Sequence, residues 1–585
     1  MNRPAISRVV VYALALVAAF PVAIAQQAPP ERASGWTPKT LVTTKRDMVV
    51  AANPLAVDAG VRILERGGSA VDAAIAVQLV LNVVEPQSSG IGGGAVMLFH
   101  NGKSGLLTAY DGRETAPAAA KPDRFLDATG KPLVFHEAVV GGRSVGVPGV
   151  LRMLQLAHTQ YGKLPWAQLF EPAIALAEKG FVVSPRLAGA IAGEKYLSQE
   201  RARAYFFNRD GTPVAAGQTL RNAALAATLR KIATGGAEAF YKGDIARDIV
   251  ETVDGSTINP GDMTERDLAG YKAKVREPVC GRYRAYRVCG MPLPSSGGIT
   301  VLQILGLLEP FDMRSIGPGS VMGVHLFSEA GRLAFADRDL YLADPEFVTP
   351  PPGLLDAAYL RERSRQIRKD ASMGKATAGT PASPAGARKK VAYGEGIALE
   401  FPSTSHFSIV DRSGNAVAMT TTIEDAFGSR LMTKGGFLLN NQLTDFSFVP
   451  VSDSKPVANR VEGGKRPRSS MAPTIVYDAN GRVFMLVGSP GGSAIINYVA
   501  KTLVGVLDWG LDVQAAIDLP NVGSRNGPTE LEAGTAAEAL APQLRALGHE
   551  TYVTEQTSGL HAIMRTRSGW AGGADPRREG IARGD

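Results

Sequence analysis

Residues 371–387 read Ala-Ser-Met-Gly-Lys-Ala-Thr-Ala-Gly-Thr-Pro-Ala-Ser-Pro-Ala-Gly-Ala, and fifteen of the seventeen are Ala, Gly, Ser, Thr or Pro. Such a stretch buries too little apolar surface to order itself, so a solvated, mobile connector is expected over about 371–390. It divides two kinds of sequence. Residues 150–370 carry helical periodicity, with helices expected around Leu164–Lys179, Ala223–Ala233 and Gly323–Tyr341. After the connector the pattern turns to strands. His406–Asp411 alternates, Arg412–Asn415 is a turn, and Ala416–Thr422 is β-rich. Further strands are expected at Gly436–Leu439, Thr474–Tyr477 and Val483–Val487. A helix-rich part joined to a strand-rich part indicates a layered α/β (α+β) architecture. At 45% apolar and 20% charged residues, the 585-residue chain is neither a disordered tail nor a multi-spanning membrane protein.

Upstream, residues 26–48 look like a mobile leader. Asn53-Pro54 then opens a helix that runs to Arg66 and stops at Gly67-Gly68. Ser69 caps a second helix through Val84, apolar nearly all round and therefore buried. The first 25 residues have another purpose. Arg3 and Arg8 precede the unbroken apolar run Val9–Phe20, and Ala23-Ile24-Ala25 is a small-x-small site before Gln26. This is the pattern of a secretory signal peptide over 1–25, and twelve apolar residues fall short of the ~20 that a spanning helix needs. An uncleaved anchor is the alternative; export, secreted or periplasmic, is the expectation. Without its leader the chain holds 61 basic and 55 acidic residues, a net +6 spread over 560 residues. No dense basic stripe or RNA- or DNA-binding motif is present, so no nucleic-acid partner is expected.

Two cysteines cannot staple a chain of this size, so the core must hold it together. Pro278–Cys289 reads as a hairpin turning near Arg284-Ala285, which sets Cys280 opposite Cys289. Either a structural cross-strand disulfide or two buried thiols fits that placement.

Common catalytic signatures are missing. There is no His-Glu-x-x-His, no Cys-x-x-Cys, no Walker loop and no Gly-x-Ser-x-Gly elbow, and the seven histidines are scattered, so no metal site is expected. Ser88-Ser-Gly-Ile-Gly-Gly-Gly94 superficially resembles a phosphate cradle, but it follows a helix and no Lys-Ser/Thr ends it. It reads better as close-packed backbone beside a site.

The strongest signal is Pro402-Ser-Thr404-Ser-His-Phe-Ser-Ile-Val-Asp411, at the seam between connector and strand. With it go Gly68–Gly94, Asp111-Gly-Arg-Glu-Thr-Ala-Pro117, Val145–Gly149, Tyr161–Trp166, Pro294–Gly298, Ala336-Asp-Arg338, Asn440-Asn-Gln442, Lys465–Met471, Gly488-Ser-Pro-Gly-Gly492 and Asp575-Pro-Arg577. Together these stretches, in this order over roughly 45–580, resemble the γ-glutamyltranspeptidase family of N-terminal-nucleophile hydrolases. The resemblance implies a four-layered αββα sandwich formed jointly by two subunits, residues 26–403 and residues 404–585, cut from one precursor between Ser403 and Thr404. It also implies that no cofactor is needed.

A threonine hydroxyl is a poor nucleophile until a base takes its proton, and a threonine at a chain terminus carries that base as its own α-amine. The amine's reference pKa of about 7.7–8.0 leaves an appreciable neutral fraction at working pH. By resemblance, Thr404 Oγ attacks the Ser403 carbonyl and water then releases the new terminus. Thr422 is implied to hydrogen-bond this nucleophile. Strand parity alone leaves the point open: an odd hairpin loop puts Thr422 opposite Thr404 or His406, and an even one turns it away. His406 is read as structural support rather than as a catalytic partner. Backbone N–H groups at Gly491-Gly492 match an oxyanion hole. For a γ-glutamyl donor, Arg113, Ser469 and Ser470 would take the α-carboxylate, and Glu424, Gln442 and Asp445 would face the α-ammonium.

Two departures from the family pattern stand out. Glu424 occupies a position that is more often Asn, and the stretch between Phe448 and Lys465 is short and lacks an aromatic residue. In lidded relatives a longer loop with Tyr covers the donor, so an open site is expected here. The resulting expectation is an autoprocessed γ-glutamyltransferase and glutathione hydrolase that passes the acyl group to water, an amino acid or a peptide. One alternative keeps the machinery but takes a glutaryl-type donor, as in β-lactam side-chain acylases. The other is a noncatalytic periplasmic binding protein.

Overall fold

The computed structural model describes residues 35–382, 392–396, 398, 400 and 403–585. Two seven-stranded sheets form its centre. The first runs in the order Ile581–Gly584, Met48–Ala51, Ser405–Val410, Ala416–Thr422, Gly94–His100, Leu107–Gly112, Lys274–Arg276. The second runs Val42–Thr44, Trp570–Ala574, His561–Arg565, Val483–Gly488, Thr474–Tyr477, Tyr286–Gly290, Val279–Tyr283. Every neighbouring pair in both is antiparallel. Strands from beyond Thr404 sit in the middle of each sheet, flanked by strands from before Ser403. The two halves of the sequence therefore cannot make separate cores.

Both faces of the first sheet are covered, and side-chain alternation divides them. Val49, Ala51, Met97, Phe99, Phe407, Ile409, Val417 and Met419 pack with the helices Pro54–Glu65 and Ala70–Val84. Met48, Val50, Val96, Leu98, Val410 and Ala418 belong to the other core, with Val476, Met485, Val487 and Ala562 of the second sheet. The helices Gly297–Leu308, Ile495–Leu507 and Val513–Asp518 cover the far side of that sheet. The layers are thus helix, sheet, sheet, helix, an αββα sandwich. Each large apolar side chain removed from water contributes about 1.5–3 kcal/mol, so two stacked cores need little help from the single disulfide.

Local chemistry explains the best-defined elements. Asn53 accepts the Leu55 N–H at 3.0 Å, and Ser69 and Asp72 exchange hydrogen bonds in a capping box. Every residue of Ala70–Val84 is buried. In the hairpin Val279–Gly290, Cys280 faces Cys289 and the two are joined as a disulfide, with Arg284-Ala285 at the turn.

Several expectations are corrected. Residues 35–48 are not a loose leader: Val42–Thr44 pairs with Trp570–Gly572, and Thr37 N donates to Pro576 O at 2.8 Å. Leu164–Lys179 is not one helix but a 3₁₀ turn, Trp166–Phe170, followed by the helix Glu171–Lys179, with Pro172 in its first turn. Gly436–Leu439 is no strand. Leu438 makes an isolated bridge to Met432 where the chain turns back through Gly436, φ 81°, with Thr433 N donating to Phe437 O at 3.0 Å and Leu439 N to Leu431 O at 2.9 Å. Residues 371–382 are not a solvated connector either. They lack regular structure, yet Ser372 and Met373 bond to Glu329, Ala376 N to Asn526, and Gly379 N to Asp337. Composition denied this segment a core of its own, and side chains of its surroundings order it instead. The rest of the connector, 383–390, the signal peptide over 1–25 and residues 26–34 of the leader lie outside the described residues. Among the described residues, no helix is long and apolar enough to cross a membrane.

Candidate active site

The hairpin around residue 413 sets the geometry. Val410 pairs with Ala416 and Ser405 with Thr421, so the loop Asp411–Asn415 has five residues, an odd number. Asp411 holds it by accepting the Ser413 and Asn415 N–H groups at 2.8 and 3.0 Å. One step beyond Ser405, Thr404 faces Thr422. Their Oγ1 atoms are 3.1 Å apart, and Glu424 N donates to Thr422 Oγ1 at 2.8 Å. Thr422 accepts from both groups, so it orients the Thr404 hydroxyl rather than serving as its base.

Thr404 is buried and has φ of 150°, a value that a β-branched residue rarely adopts. Strain of this kind costs on the order of 1–3 kcal/mol and persists only where surroundings enforce it. Here they do. Ser403 Oγ donates to Gln87 O at 3.0 Å, and Ser405 Oγ to Glu85 at 3.0 Å. The Ser88–Gly94 loop closes in from the side. A Cβ on Gly93 would lie 2.1 Å from Thr422 O, and one on Gly92 2.1 Å from Leu438 O. The glycines are there for close backbone approach.

A cavity of about 20 Å³ opens at Thr404, with room for roughly one water. Arg113, Thr422, Glu424, Gln442, Asp445, Ser469, Ser470 and Gly492 line it. Gly491 and Gly492 turn there with φ of 138° and 54°; a Cβ on Gly491 would come within 2.6 Å of the Tyr498 ring. Eight of the residues expected from the sequence thus gather around Thr404, with Gly491 adjoining Gly492 and Ser403 adjoining Thr404 in the chain. Their partners are less expected. Arg113 is fully buried, pairs with Asp445, and donates to Pro467 O and Arg468 O at 3.1 and 3.0 Å. Gln442 Nε2 donates to Asp445 Oδ2 at 2.6 Å, and Glu424 accepts from Asn441 Nδ2. Burial pushes the Asp445 carboxyl up to about 6 against the pull of Arg113. Burial also raises Glu114 to about 8, although Arg113 lies 3.8 Å away.

The 449–464 stretch is short as expected, with only the hairpin Val451–Ser452 and Lys455–Pro456, and in the uncut chain Glu400 forms part of the cavity wall. Glu400 is the participant missed by sequence reasoning. It pairs with Arg338, which also donates to Ser470 Oγ at 2.7 Å. Ala336-Asp-Arg338 was a visible motif, but nothing in it names its partner. His406 does not reach Thr404: its ring bonds Thr420 Oγ1 at 2.9 Å and Ser408 Oγ at 3.2 Å, and burial keeps it neutral.

Among the described residues, one group has metal-ligand composition, His325, Glu329 and His549. It is already satisfied. His325 Nε2 donates to Arg368 O at 2.6 Å, its Nδ1 bonds His549 Nε2 at 2.7 Å, and His549 Nδ1 bonds Thr529 Oγ1 at 2.8 Å. Every ring nitrogen of the pair thus has a hydrogen-bond partner in the protein, and burial lowers His549 to about 4.

Residues 56–584 match the family profile described as Gamma-glutamyltranspeptidase. The chain belongs to the γ-glutamyltranspeptidase family. It is 39% identical over 557 residues to the glutathione hydrolase proenzyme of Bacillus subtilis (strain 168), covering 92% of each chain. It is 40% identical over 549 residues to the glutathione hydrolase proenzyme of Escherichia coli (strain K12), covering 92% of this chain and 91% of that one. A crystal structure of cephalosporin acylase from Bacillus halodurans superposes with a TM-score of 0.82 at 28% identity, covering 95% of this chain and 99% of that one. The γ-glutamyltranspeptidase assignment accounts for the sandwich and for the motifs that converge on Thr404.

Proposed function

We propose that this chain is a self-cleaving γ-glutamyltransferase and glutathione hydrolase, exported and active as two noncovalently paired subunits. The observation that carries the reading is the buried, strained Thr404 bonded to Thr422 at the mouth of a pocket lined by both cationic and acidic groups. In the precursor, Thr404 Oγ attacks the Ser403 carbonyl. The Ser403–Thr404 C–N bond breaks as the ester to Oγ forms, the hydroxyl proton passes to the nitrogen to give the free Thr404 α-amine, and water then hydrolyses the ester, releasing the Ser403 carboxylate and restoring the Thr404 hydroxyl. Relief of the strained φ favours the step.

The new amine then removes the Thr404 hydroxyl proton as Oγ attacks the γ-carbonyl of the donor. Backbone N–H groups at Gly491 and Gly492 stabilise the oxyanion, a contribution of about 2.7–4 kcal/mol per donor in comparable sites. The amine returns its proton to the leaving amide nitrogen. Water, an amino acid or a peptide amine then takes the γ-glutamyl group from the ester. Arg113, Ser469 and Ser470 are assigned to the α-carboxylate, and Glu424, Gln442 and Asp445 to the α-ammonium, with no cofactor involved. Relatives named glutathione hydrolase proenzyme support glutathione-type donors and a processed precursor.

A glutaryl-type donor is a second reading, favoured by the likeness to the Bacillus halodurans cephalosporin acylase. A glutaryl group lacks the ammonium and would leave Glu424 and Asp445 without a cationic partner from the ligand, a costly arrangement in a dry pocket. Turnover of γ-glutamyl and glutaryl anilides by the two-chain enzyme separates the two. Faster γ-glutamyl turnover is expected; faster glutaryl turnover would overturn the donor assignment.

A further inference from the structure

We propose that Arg430 is a positioning residue for the donor's ammonium. It carries the frame set by Gly141, Glu194 and Gln199 through Asp425 to Glu424, and so sets the preference for amine-bearing donors. The proposal deepens the γ-glutamyl reading and rests on it for the ammonium that Glu424 meets.

The loop that carries Glu424 is strained. Glu424, Phe427 and Arg430 have left-handed φ of 79°, 64° and 64°, with Gly428 at 57° among them. Such angles suit Gly and Asn; in Glu, Phe and Arg they persist only where surroundings enforce them. Close packing does not do so behind the loop. There Ser429, Arg430 and Leu431 line a cavity of about 340 Å³, together with Tyr196, Arg201 and Ile258.

Polar contacts enforce the conformation instead. Gly141 N donates to Ser429 O at 3.1 Å, and Gln199 exchanges hydrogen bonds with Met432 at 2.9 and 3.1 Å. These contacts fix the far end of the loop to the part of the chain before Ser403. Arg430 extends the hold inwards. Its buried guanidinium donates through Nη2 to Glu194 at 2.9 Å, lies 2.7 Å from Asp425 Oδ2, and donates through Nη1 to Gly428 O at 2.6 Å. Burial opposes the Arg430 charge, and Asp425 and Glu194 outweigh it. Without that cation two carboxylates would face each other in a buried place, which is strongly unfavourable. Asp425 follows Glu424 in the chain, and Asn441 holds both. Its Oδ1 accepts from Asp425 N at 3.0 Å, and its Nδ2 donates to the Glu424 carboxylate. A shift of Asp425 therefore moves the group assigned to the ammonium. Once the chain is cut, Glu194 lies in one subunit and Arg430 in the other, so the large subunit orients a specificity group of the small one.

The test is steady-state kinetics of the two-chain enzyme, unmodified and with Arg430→Met, on γ-glutamyl and glutaryl anilides. The ratio of the two kcat/KM values, γ-glutamyl over glutaryl, should fall about tenfold or more. The fall should come from KM for the γ-glutamyl anilide, with its kcat within about threefold and the glutaryl kcat/KM within about twofold. Equal losses on both anilides, as from a general loosening of the fold, would overturn the proposal, and so would an unchanged ratio. If Arg430→Met does not mature, Asp425→Ala takes its place. It leaves the Glu194–Arg430 pair intact and cuts the link to the neighbour of Glu424. The same fall in the ratio is expected, and an unchanged ratio would contradict the proposal. Failure of the γ-glutamyl reading looks different: the unmodified enzyme would turn over the glutaryl anilide faster. The change in ratio on losing Arg430 is read independently of which anilide is faster.

Discussion

Thr404 Oγ1 and Thr422 Oγ1 stand 3.1 Å apart, one pair beyond the last described rung of their hairpin, and Glu424 N bonds the same Thr422 oxygen from the other side. Thr422 is therefore the fixed point that aims the nucleophile. Thr422→Val keeps the shape and removes the acceptor. It is expected to slow both self-cleavage and turnover about 10–100-fold, the size of one positioning hydrogen bond in a buried site. Thr422→Ser should retain most of the rate. Measuring the cleavage half-life of both variants checks this, and an unaffected Thr422→Val would remove Thr422 from the mechanism.

Gly93 makes the same point through backbone. Its Cβ position lies 2.1 Å from Thr422 O, so Gly93→Ala forces the strand bearing Thr422 to move. Self-cleavage should slow at least about tenfold, since sub-ångström displacement of reacting groups has large rate effects. Gly67→Ala is the control. Gly67 has open space around it but a φ of 87°, so that change should lower Tm slightly and leave the cleavage rate alone.

How much of this site was legible beforehand varied by residue. Thr404, Arg113, Asp445 and the 491–492 glycines sat in motifs whose chemistry could be argued one residue at a time. Thr422 depended on loop parity, which the Arg412–Asn415 turn did not reveal; the five-residue loop closed by Asp411 decides it. Glu400 was invisible because its role comes from where the chain folds back, not from its neighbours in sequence. The 371–382 segment was misread for a similar reason, since Glu329, Asp337 and Asn526 that order it lie far away along the chain.

Glu424 is assigned to the donor's ammonium, and a charge-removing substitution tests that assignment. Glu424→Gln should lower kcat/KM on γ-glutamyl anilide by about 10–100-fold and leave glutaryl anilide unchanged or faster, because only the former brings an ammonium to a charge-assisted contact. Parallel steady-state kinetics on the two anilides reads this directly. Equal losses on both would remove the ammonium from the role of Glu424.

Glu114 predicts a pH effect on stability. Burial raises its carboxyl from 4.5 to about 8 in the folded uncut chain. Below the lower value both states carry the proton and nothing is lost. Between the two values the unfolded chain releases it and the folded chain retains it, so stability falls as pH rises. Glu114→Gln in the Thr404→Ala background removes that slope. Its Tm should gain on the parent progressively from pH 5 to pH 8, with a stability difference on the order of 3 kcal/mol at neutral pH. Melting curves at matched ionic strength test it, and a gap that does not change with pH would contradict it.

The central claim is that Thr404 cuts its own chain and becomes the nucleophile. The most direct measurement is a denaturing gel of the purified protein beside Thr404→Ala, with N-terminal sequencing of the smaller band. From 61.6 kDa over 585 residues, cleavage after removal of the leader yields bands near about 40 and 19 kDa by the N-terminal-nucleophile route. The unmodified protein is expected to give both bands, with the smaller beginning Thr-Ser-His-Phe, and Thr404→Ala a single uncut band. One uncut band from a folded, unmodified protein, or cleavage that persists in Thr404→Ala, would contradict it.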